Sequence, residues 1–466
     1  MILSFVKPFL FVLILPVIKG GAQYLITGKV SGVLSLEAIA AAVVLLLAFL
    51  SFRAFRVSVD GEKMTLRRGF LLKTVAVIRK DRLSSVSAAR GIADLVFGSV
   101  TYRVNTEAGA SGRTDFKFKL RLKDAGEVSG LLYGEESGAF MRFGRRATAV
   151  FAAATSSAVT GLLVGVPVIN NSGRILGIAL SGILFNGISR ASSRFDAYFP
   201  PAVNLLTVTL VAGYLLSFLI SFVKTLGFGL SVGRDKIRIK CGVLTRQHTL
   251  FKKSAVNDVC IEQTPIMRPF GIFSMRAAVG GYGDRRGEKA VIVPAARYGE
   301  VKELLKDCFP GFYPDAEPIK PERTKKSAAR FLLPARAYAA LDVCVTALAA
   351  FAFPAVSRLF AAIGSAVMAV IAYYGCLCLV NRRRGGLLIG ERVFASGSAG
   401  LTLRELYCAG KNLGEIKITR TPADRLLGTC NAEITVRSES ADRIKVRNVS
   451  FSETLRQIEK TFNISE

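Results

Sequence analysis

His248 is the only histidine in 466 residues, and it stands between Gln247 and Thr249 in a polar stretch. Acid–base or nucleophilic chemistry needs convergent groups, such as a nucleophile beside a base or two carboxylates in one cleft. The sequence sets no such partner next to His248, which reads as an ordinary strand residue. Gly280-Gly281-Tyr282-Gly283 is bare enough to approach a phosphate. However, no helix opening with Lys-Ser or Lys-Thr follows, so the P-loop pattern fails and a hairpin turn is expected. The eight cysteines are scattered with no CxxC pair, and with one histidine they write no zinc site. Cys344, Cys376 and Cys378 fall in apolar segments, where cysteine serves as a small buried hydrophobe. Asp342 and Glu37 are acids near apolar segments; a single acid near a span end reaches the interface more readily than it relays protons. The expectation is a protein with no catalytic centre, no metal and no cofactor, hence not an enzyme.

The residues with a mechanism are basic. Arg67, Arg68 and Lys73 flank Gly69; Arg79, Lys80 and Arg82 follow; Lys252 and Lys253 repeat the theme. Near an anionic surface each such group contributes on the order of 1 kcal/mol. These eight are the candidate binding residues, for an anionic lipid or another partner, against the simpler reading that they only fix topology and solubility. The formal net charge is +29, which points to lipid headgroups or nucleic acid. Basic residues sit directly beside apolar runs, which favours membrane lipid and not nucleic acid.

Those runs define the elements. The chain is 51% hydrophobic with a mean hydropathy of +0.40. Apolar stretches approaching the roughly 20 residues needed to cross a bilayer come in pairs: 2–18 with 34–52, 147–169 with 203–223, and 337–353 with 359–380. The first is read as a retained helix, not a secretory leader, because Pro8, Pro16 and Lys19 interrupt it. Residues 175–188 are apolar but short, and read as interfacial or re-entrant. Arg53, Arg56, Arg142, Arg145, Arg146, Arg323, Lys325, Lys326, Arg330 and Arg382 to Arg384 lie outside the paired loops. Positive flanks stay cytoplasmic, so the expectation is a multi-pass plasma-membrane protein with its polar segments in the cytoplasm. The divisions are a hairpin at 1–55, a polar domain at 56–134, a hairpin with an interfacial loop at 147–223, a second domain at 228–313, a basic linker at 314–330, a hairpin at 337–380 and a third domain at 382–466.

The polar segments repeat. Gly69 and Gly98 are spaced like Gly242 and Gly271, and between them Arg79 to Val86 lies over Lys252 to Val259 without a gap. Leu413 and Ile416 fall at the same offsets before Gly428. Leu95-Val96-Phe97-Gly98, Arg268-Pro269-Phe270-Gly271 and Arg425-Leu426-Leu427-Gly428 are equivalent, and a strand follows each glycine. The glycines predict turns that other residues resist. Alternation in 117–123 predicts a half-buried strand, and helices are expected at 124–133, 295–308 and 452–462.

A strand ending in glycine, a basic turn, a valine-bearing strand, then Pro-x-x-Arg-x-x-Gly resembles the bacterial pleckstrin-homology-like domain of membrane proteins. Gly242-Val243-Leu244-Thr245-Arg246 and Pro265-Ile266-Met267-Arg268-Pro269-Phe270-Gly271 are the nearest match. In the first unit Ile92 replaces the proline and Leu95 the arginine; in the third, Gly400 is displaced. The resemblance implies a seven-stranded β-barrel with a C-terminal helix in each of three units, and no chemistry. The function expected is a non-enzymatic membrane scaffold binding protein, peptide, anionic lipid or another copy of itself. The alternative is an accessory or permease component in export of, or resistance to, membrane-active peptides.

Overall fold

The computed structural model describes residues 53–462 except 61, 70–72, 92–93, 96–97, 107–114, 134–139, 164–179, 195–200, 244, 284–287, 323–324 and 438–441. Of 42–52 it describes 42, 43, 46, 49 and 50. The expected first hairpin therefore lies almost wholly outside the described residues, as does most of 164–179.

Three successions of strands share one order. The first is β1 (Arg56–Val59), β2 (Lys63–Arg68), β3 (Thr74–Arg79), a 3-10 turn at Lys80–Arg82, β4 (Leu83–Arg90), β5 (Ser99–Thr106), β6 (Phe116–Arg121) and helix α1 (Leu122–Tyr133). β7 (Met141–Arg142) then leads to helices α2 (Arg145–Thr155), α3 (Leu180–Ser193) and α4 (Pro201–Thr225). The second succession is β8 (Gly229–Val232), β9 (Lys236–Cys241), β10 (Arg246–Lys252), a 3-10 turn at Lys253–Ala255, β11 (Val256–Gln263), β12 (Ile272–Val279), β13 (Ala290–Arg297) and α5 (Tyr298–Cys308). Helices α6 (Lys325–Phe331), α7 (Leu333–Ala352) and α8 (Ser357–Arg384) come next. The third is β14 (Gly386–Leu388), β15 (Arg392–Ala399), β16 (Thr402–Ala409), a 3-10 turn at Gly410–Asn412, β17 (Leu413–Thr419), α9 (Pro422–Leu426), β18 (Thr429–Val436), β19 (Asp442–Ser450) and α10 (Phe451–Phe462). The expected helices at 124–133 and 452–462 coincide with α1 and α10 to within two residues. The one expected at 295–308 begins three residues later, because 295–297 still belong to β13.

The hydrogen-bonded sheets cross from one unit into the next. A seven-stranded sheet runs β6-β5-β4-β10-β9-β8-β7 and a six-stranded one β13-β12-β11-β16-β15-β14, with β1-β2-β3 and β17-β18-β19 at the two ends. Treating each unit as a barrel on its own overlooks this joining: the first strand of each second half is an edge, and the third strand of the next unit satisfies its free backbone groups. The cores merge accordingly. Leu403 and Tyr407 on β16 are buried in the core built by Val259, Ile261 and Phe273 of the second unit.

Among the described residues three helices are long and apolar enough to cross a membrane: Val203–Thr225, Leu333–Ala352 and Pro354–Arg384. Phe351 is 85% exposed and Leu348 70%, a surface suited to hydrocarbon and costly in water. α7 and α8 pack together, with Gly364 set closely against Thr346. Within the apolar stretch expected at 147–169, α2 stops at Thr155 and helix resumes at 158–163. Backbone freed at a break inside an apolar layer must find partners, and α4 supplies them. Ser157 N–H donates to Ser217 Oγ (3.2 Å), and Tyr214 O–H donates to the Ala153 carbonyl (2.9 Å).

The repeated glycines have the expected backbone. Gly69, Gly98, Gly242, Gly271, Gly400 and Gly428 all have positive φ, from 56° to 100°. At Gly98 an added Cβ would meet nothing, whereas at Gly242 it would collide with the Thr245 carbonyl. Gly98→Ala should therefore cost about 1 kcal/mol, the left-handed backbone alone, and Gly242→Ala distinctly more, read as thermal melting shifts of the detergent-solubilised chain.

Candidate functional site

A cavity of about 1090 Å³ opens where the β4-β5-β6 half meets β9 and β10 and the end of α4. Its walls carry Arg90, Arg103, Lys117, Lys119, Lys224 and Arg246, against the acids Asp94 and Glu288. Alternation puts these cations there: Lys117 and Lys119 lie two apart on β6, and Lys117 is opposite Arg103 on β5, so they share one face. Lys224 is in the last turn of α4, where a cation also suits the helix dipole. The Arg90 Nε is buried without a hydrogen-bond acceptor. The one thiol in the wall, Cys241, is pushed up to about 11 by burial and is not a nucleophile at neutral pH. This arrangement can hold an anion.

Asp94 organises one wall. Its carboxylate accepts from Gly91 N–H (3.2 Å), Ser99 Oγ (2.8 Å) and Thr101 Oγ1 (3.2 Å), and pairs with Lys119 Nζ at 2.7 Å. Burial opposes its charge, but Lys119, Ser99 and Gly91 outweigh burial and hold the carboxyl below the usual range. Asp424 is its counterpart, likewise four residues before a repeated glycine. It accepts from Thr421 and Thr429 and pairs with Arg330 of α6. Burial is again outweighed, by the Thr421 hydrogen bonds and Arg330, so its carboxyl is also lowered. In the second unit Met267 takes this position, fully buried against Phe151 of α2 and Ala295.

A second polar cluster lies under the β11–β16 seam. Lys289 Nζ is 2.9 Å from Asp258 Oδ1 and 3.0 Å from Cys260 Sγ, and pairs with Asp442. Asp258, Cys260 and Asp442 could by spacing hold a metal ion, but the Lys289 ammonium already sits among them and supplies the positive charge. Burial works against that charge, yet Cys260, Asp258 and Asp442 outweigh it and raise the Lys289 pKa. Beside it, Arg404 Nε donates to Glu262 Oε1 (2.8 Å), and Tyr298 and Tyr407 both donate to Glu405 (2.9 and 2.7 Å). This cluster fastens the second unit to the third.

The family model for the bacterial PH domain matches residues 9–136 and 176–308, more than half of the chain. The chain belongs to the bacterial PH domain family. PH domains are generally non-catalytic binding modules that commonly take lipids or proteins. Each match takes in apolar sequence as well as a strand unit, and neither reaches the third unit. Comparison with curated proteins and with solved structures gives no match.

Within this PH framework the basic residues singled out in the sequence whose side chains are described, Arg67, Lys73, Arg79, Lys80, Arg82, Lys252 and Lys253, do not line the cavity. Arg67, Lys73, Arg79 and Arg82 are exposed and Lys80 and Lys253 half-buried; Arg68 belongs to β2, and its side chain lies outside the described atoms. Arg79 is paired with Asp81 at 2.7 Å. Lys252 donates to the Asp81 carbonyl, so it bridges the 3-10 turns of the two matched units. His248 sits on β10 between Lys240 of β9 and Ala88 of β4. Partial desolvation and the charges of Lys240 and Arg246 lower its pKa. The cavity cations were missed because they come from four strands and a helix spread between Arg90 and Arg246 in sequence. The only available signal was the basic alternation of Lys117, Lys119 and Arg121.

Asp94 and Asp424 have folded pKa values below their unfolded ones. Each therefore stabilises fully above about pH 4 and loses its contribution as pH falls through the folded value. Asp94→Asn should lower the melting temperature everywhere above about pH 4 and leave it nearly unchanged at the acid extreme, which flattens the acid limb of a melting-temperature profile. Lys289→Met strands buried carboxylates and should destabilise by about 3–5 kcal/mol, measured as the shift in heat or denaturant unfolding of the whole chain.

Proposed function

We propose that this is a non-enzymatic, multi-pass membrane protein with three PH-like domains, 56–134, 228–313 and 382–466, held on the cytoplasmic side of the plasma membrane. Its basic cavity receives the phosphate of an anionic lipid headgroup. The observation that carries the reading is the excess of cations in the cavity, one of them on the last turn of a helix apolar enough to span the bilayer. A headgroup at the foot of that helix needs to travel no distance from the leaflet. Basic residues beside apolar helices, Arg382 to Arg384 in the last turn of α8 and Arg330 on α6 just before α7, support the cytoplasmic placement. Exposed Arg67, Lys73, Arg79 and Arg82, with Lys80, add diffuse attraction to the same surface, and Arg68, Lys252 and Lys253 complete the basic turns. An export role gains nothing from the helices: Asp342 is the only carboxylate in α4, α7 and α8, too few for a relay across the membrane.

The test is native mass spectrometry of the solubilised chain with phosphatidylglycerol against phosphatidylcholine. Lys117→Gln with Arg246→Gln removes two cavity cations, worth roughly 2 kcal/mol together, and should weaken phosphatidylglycerol retention about thirtyfold. Lys73→Gln with Lys80→Gln removes the same charge outside the cavity and should have a smaller effect. Equal losses from the two pairs would reduce the reading to generic surface charge.

A further inference from the structure

The two junctions within the chain use one register. β4 pairs antiparallel with β10 from Ser85 opposite Phe251 to Arg90 opposite Arg246. β11 pairs with β16 from Asp258 opposite Cys408 to Gln263 opposite Leu403. In the alignment that superposes the 3-10 turns Lys80–Arg82, Lys253–Ala255 and Gly410–Asn412, these are the same positions in successive units. The operation that carries the first unit to the second therefore also joins the second to the third.

Among the described residues the row leaves two complementary ends. β3, equivalent to β10 and β16, is the outer strand of β1-β2-β3, and β17, equivalent to β4 and β11, is the outer strand of β17-β18-β19. Their side chains show what is missing. The outward position that is buried at both junctions, Leu250 (5% exposed) and Tyr407 (1%), is Val77 on β3, which is 59% exposed; Val75 beside it is 57% exposed. Opposite Leu250 and Tyr407 stand Val86 and Val259, whose equivalent on β17 is Ile416. Leu413, Ile416 and Ile418 pack against the third core only in part. This is the side that β16 closes for the second core.

We propose that β17 of one copy pairs antiparallel with β3 of a second copy, repeating the internal junction so that chains assemble head to tail. The shared register sets Ile416 opposite Val77 and Ile418 opposite Val75, two β-branched cross-strand pairs of the kind that stabilise sheets. A flat, apolar edge such as Thr74-Val75-Ala76-Val77-Ile78 is otherwise a liability that proteins blunt. The contact is heterologous, so it closes into a ring if the rotation per copy permits and otherwise extends as a row. The occupant is a second copy and not an unrelated strand, because the chain already makes this contact twice with itself.

The test uses the whole chain in native membranes, with the exposed thiols removed as Cys344→Ala and Cys376→Ala. Two differently tagged copies are co-expressed, one carrying Val77→Cys and the other Ile416→Cys. Directly opposed residues reach disulfide range, so an intermolecular disulfide between the tags is expected. Replacing Ile416→Cys by Lys417→Cys should lose it, since a one-residue shift turns the side chain to the other face. Separately, Val75→Lys with Val77→Lys, at surface positions that leave each core intact, should convert oligomers in nanodiscs to monomers with an unchanged circular dichroism spectrum. A wild-type chain that is monomeric in nanodiscs, or a cross-link that forms equally at 416 and 417, would overturn the proposal.

Discussion

An edge strand presents a row of backbone donors and acceptors that must be paired, wetted or covered. In this chain each unit splits into two three-stranded halves, and the half that begins at β4 or β11 is left with such an edge. The third strand of the following unit fills it. Most of the architecture depends on that pairing. It lets Tyr407 and Leu403 enter a core that belongs to another unit. It also places Asp442 of β19 close enough to share Lys289 with Asp258. A buried charge cluster is tolerable only when its geometry is held fixed, and two rigid sheets joined by backbone hydrogen bonds provide this.

The position four residues before Gly271 and Gly428 ties a neighbouring helix to the strand unit by two different chemistries. In the second unit it is Met267, packed on Phe151 of α2; in the third it is Asp424, paired with Arg330 of α6. An apolar plug and an ion pair do the same mechanical work at equivalent places, so the site itself, and not its residue type, carries the attachment. The first unit has Asp94 there, and its cation, Lys119, comes from its own sheet. Asp94 lines the cavity.

Much of the fold was legible because its signals are local. The turn glycines announced themselves through spacing alone, and their positive φ follows from the lack of a Cβ. The strand at 117–123 and the closing helices were visible as periodicity, with β6 ending at Arg121 where alternation gives way to helix. Sheet joining left no such trace: β4 and β10 are separated by the helices α2 to α4, and nothing in Ser84-Ser85-Val86 names its partner. The break at Ser156 was hidden for a related reason. Its neighbours are apolar enough for a continuous span, and the groups that make the break affordable, Ser217 and Tyr214, lie on another helix. The basic turns were conspicuous as charge but not as a site, because a dense exposed cluster says little about shape.

Shape decides between the two sets of cations. Exposed Arg79 sits in high-dielectric solvent beside Asp81, where its attraction is screened and partly spent on that neighbour. Charges lining a concave, partly apolar wall act through a lower dielectric, and their field lines are focused into the opening. The cavity wall includes Phe55, Phe118, Phe151 and Phe228 as well as its cations; among these Arg90, Arg103 and Lys119 are half-buried and meet both conditions, whereas Lys117, Lys224 and Arg246 are exposed at its rim. Its residues come from the first unit, the second unit and the foot of α4 together. A PH unit excised from this chain would keep its strands and its surface charge but lose the cavity. On the proposed reading, recognition of an anion is thus a property of the joined sheets and not of any one copy of the fold.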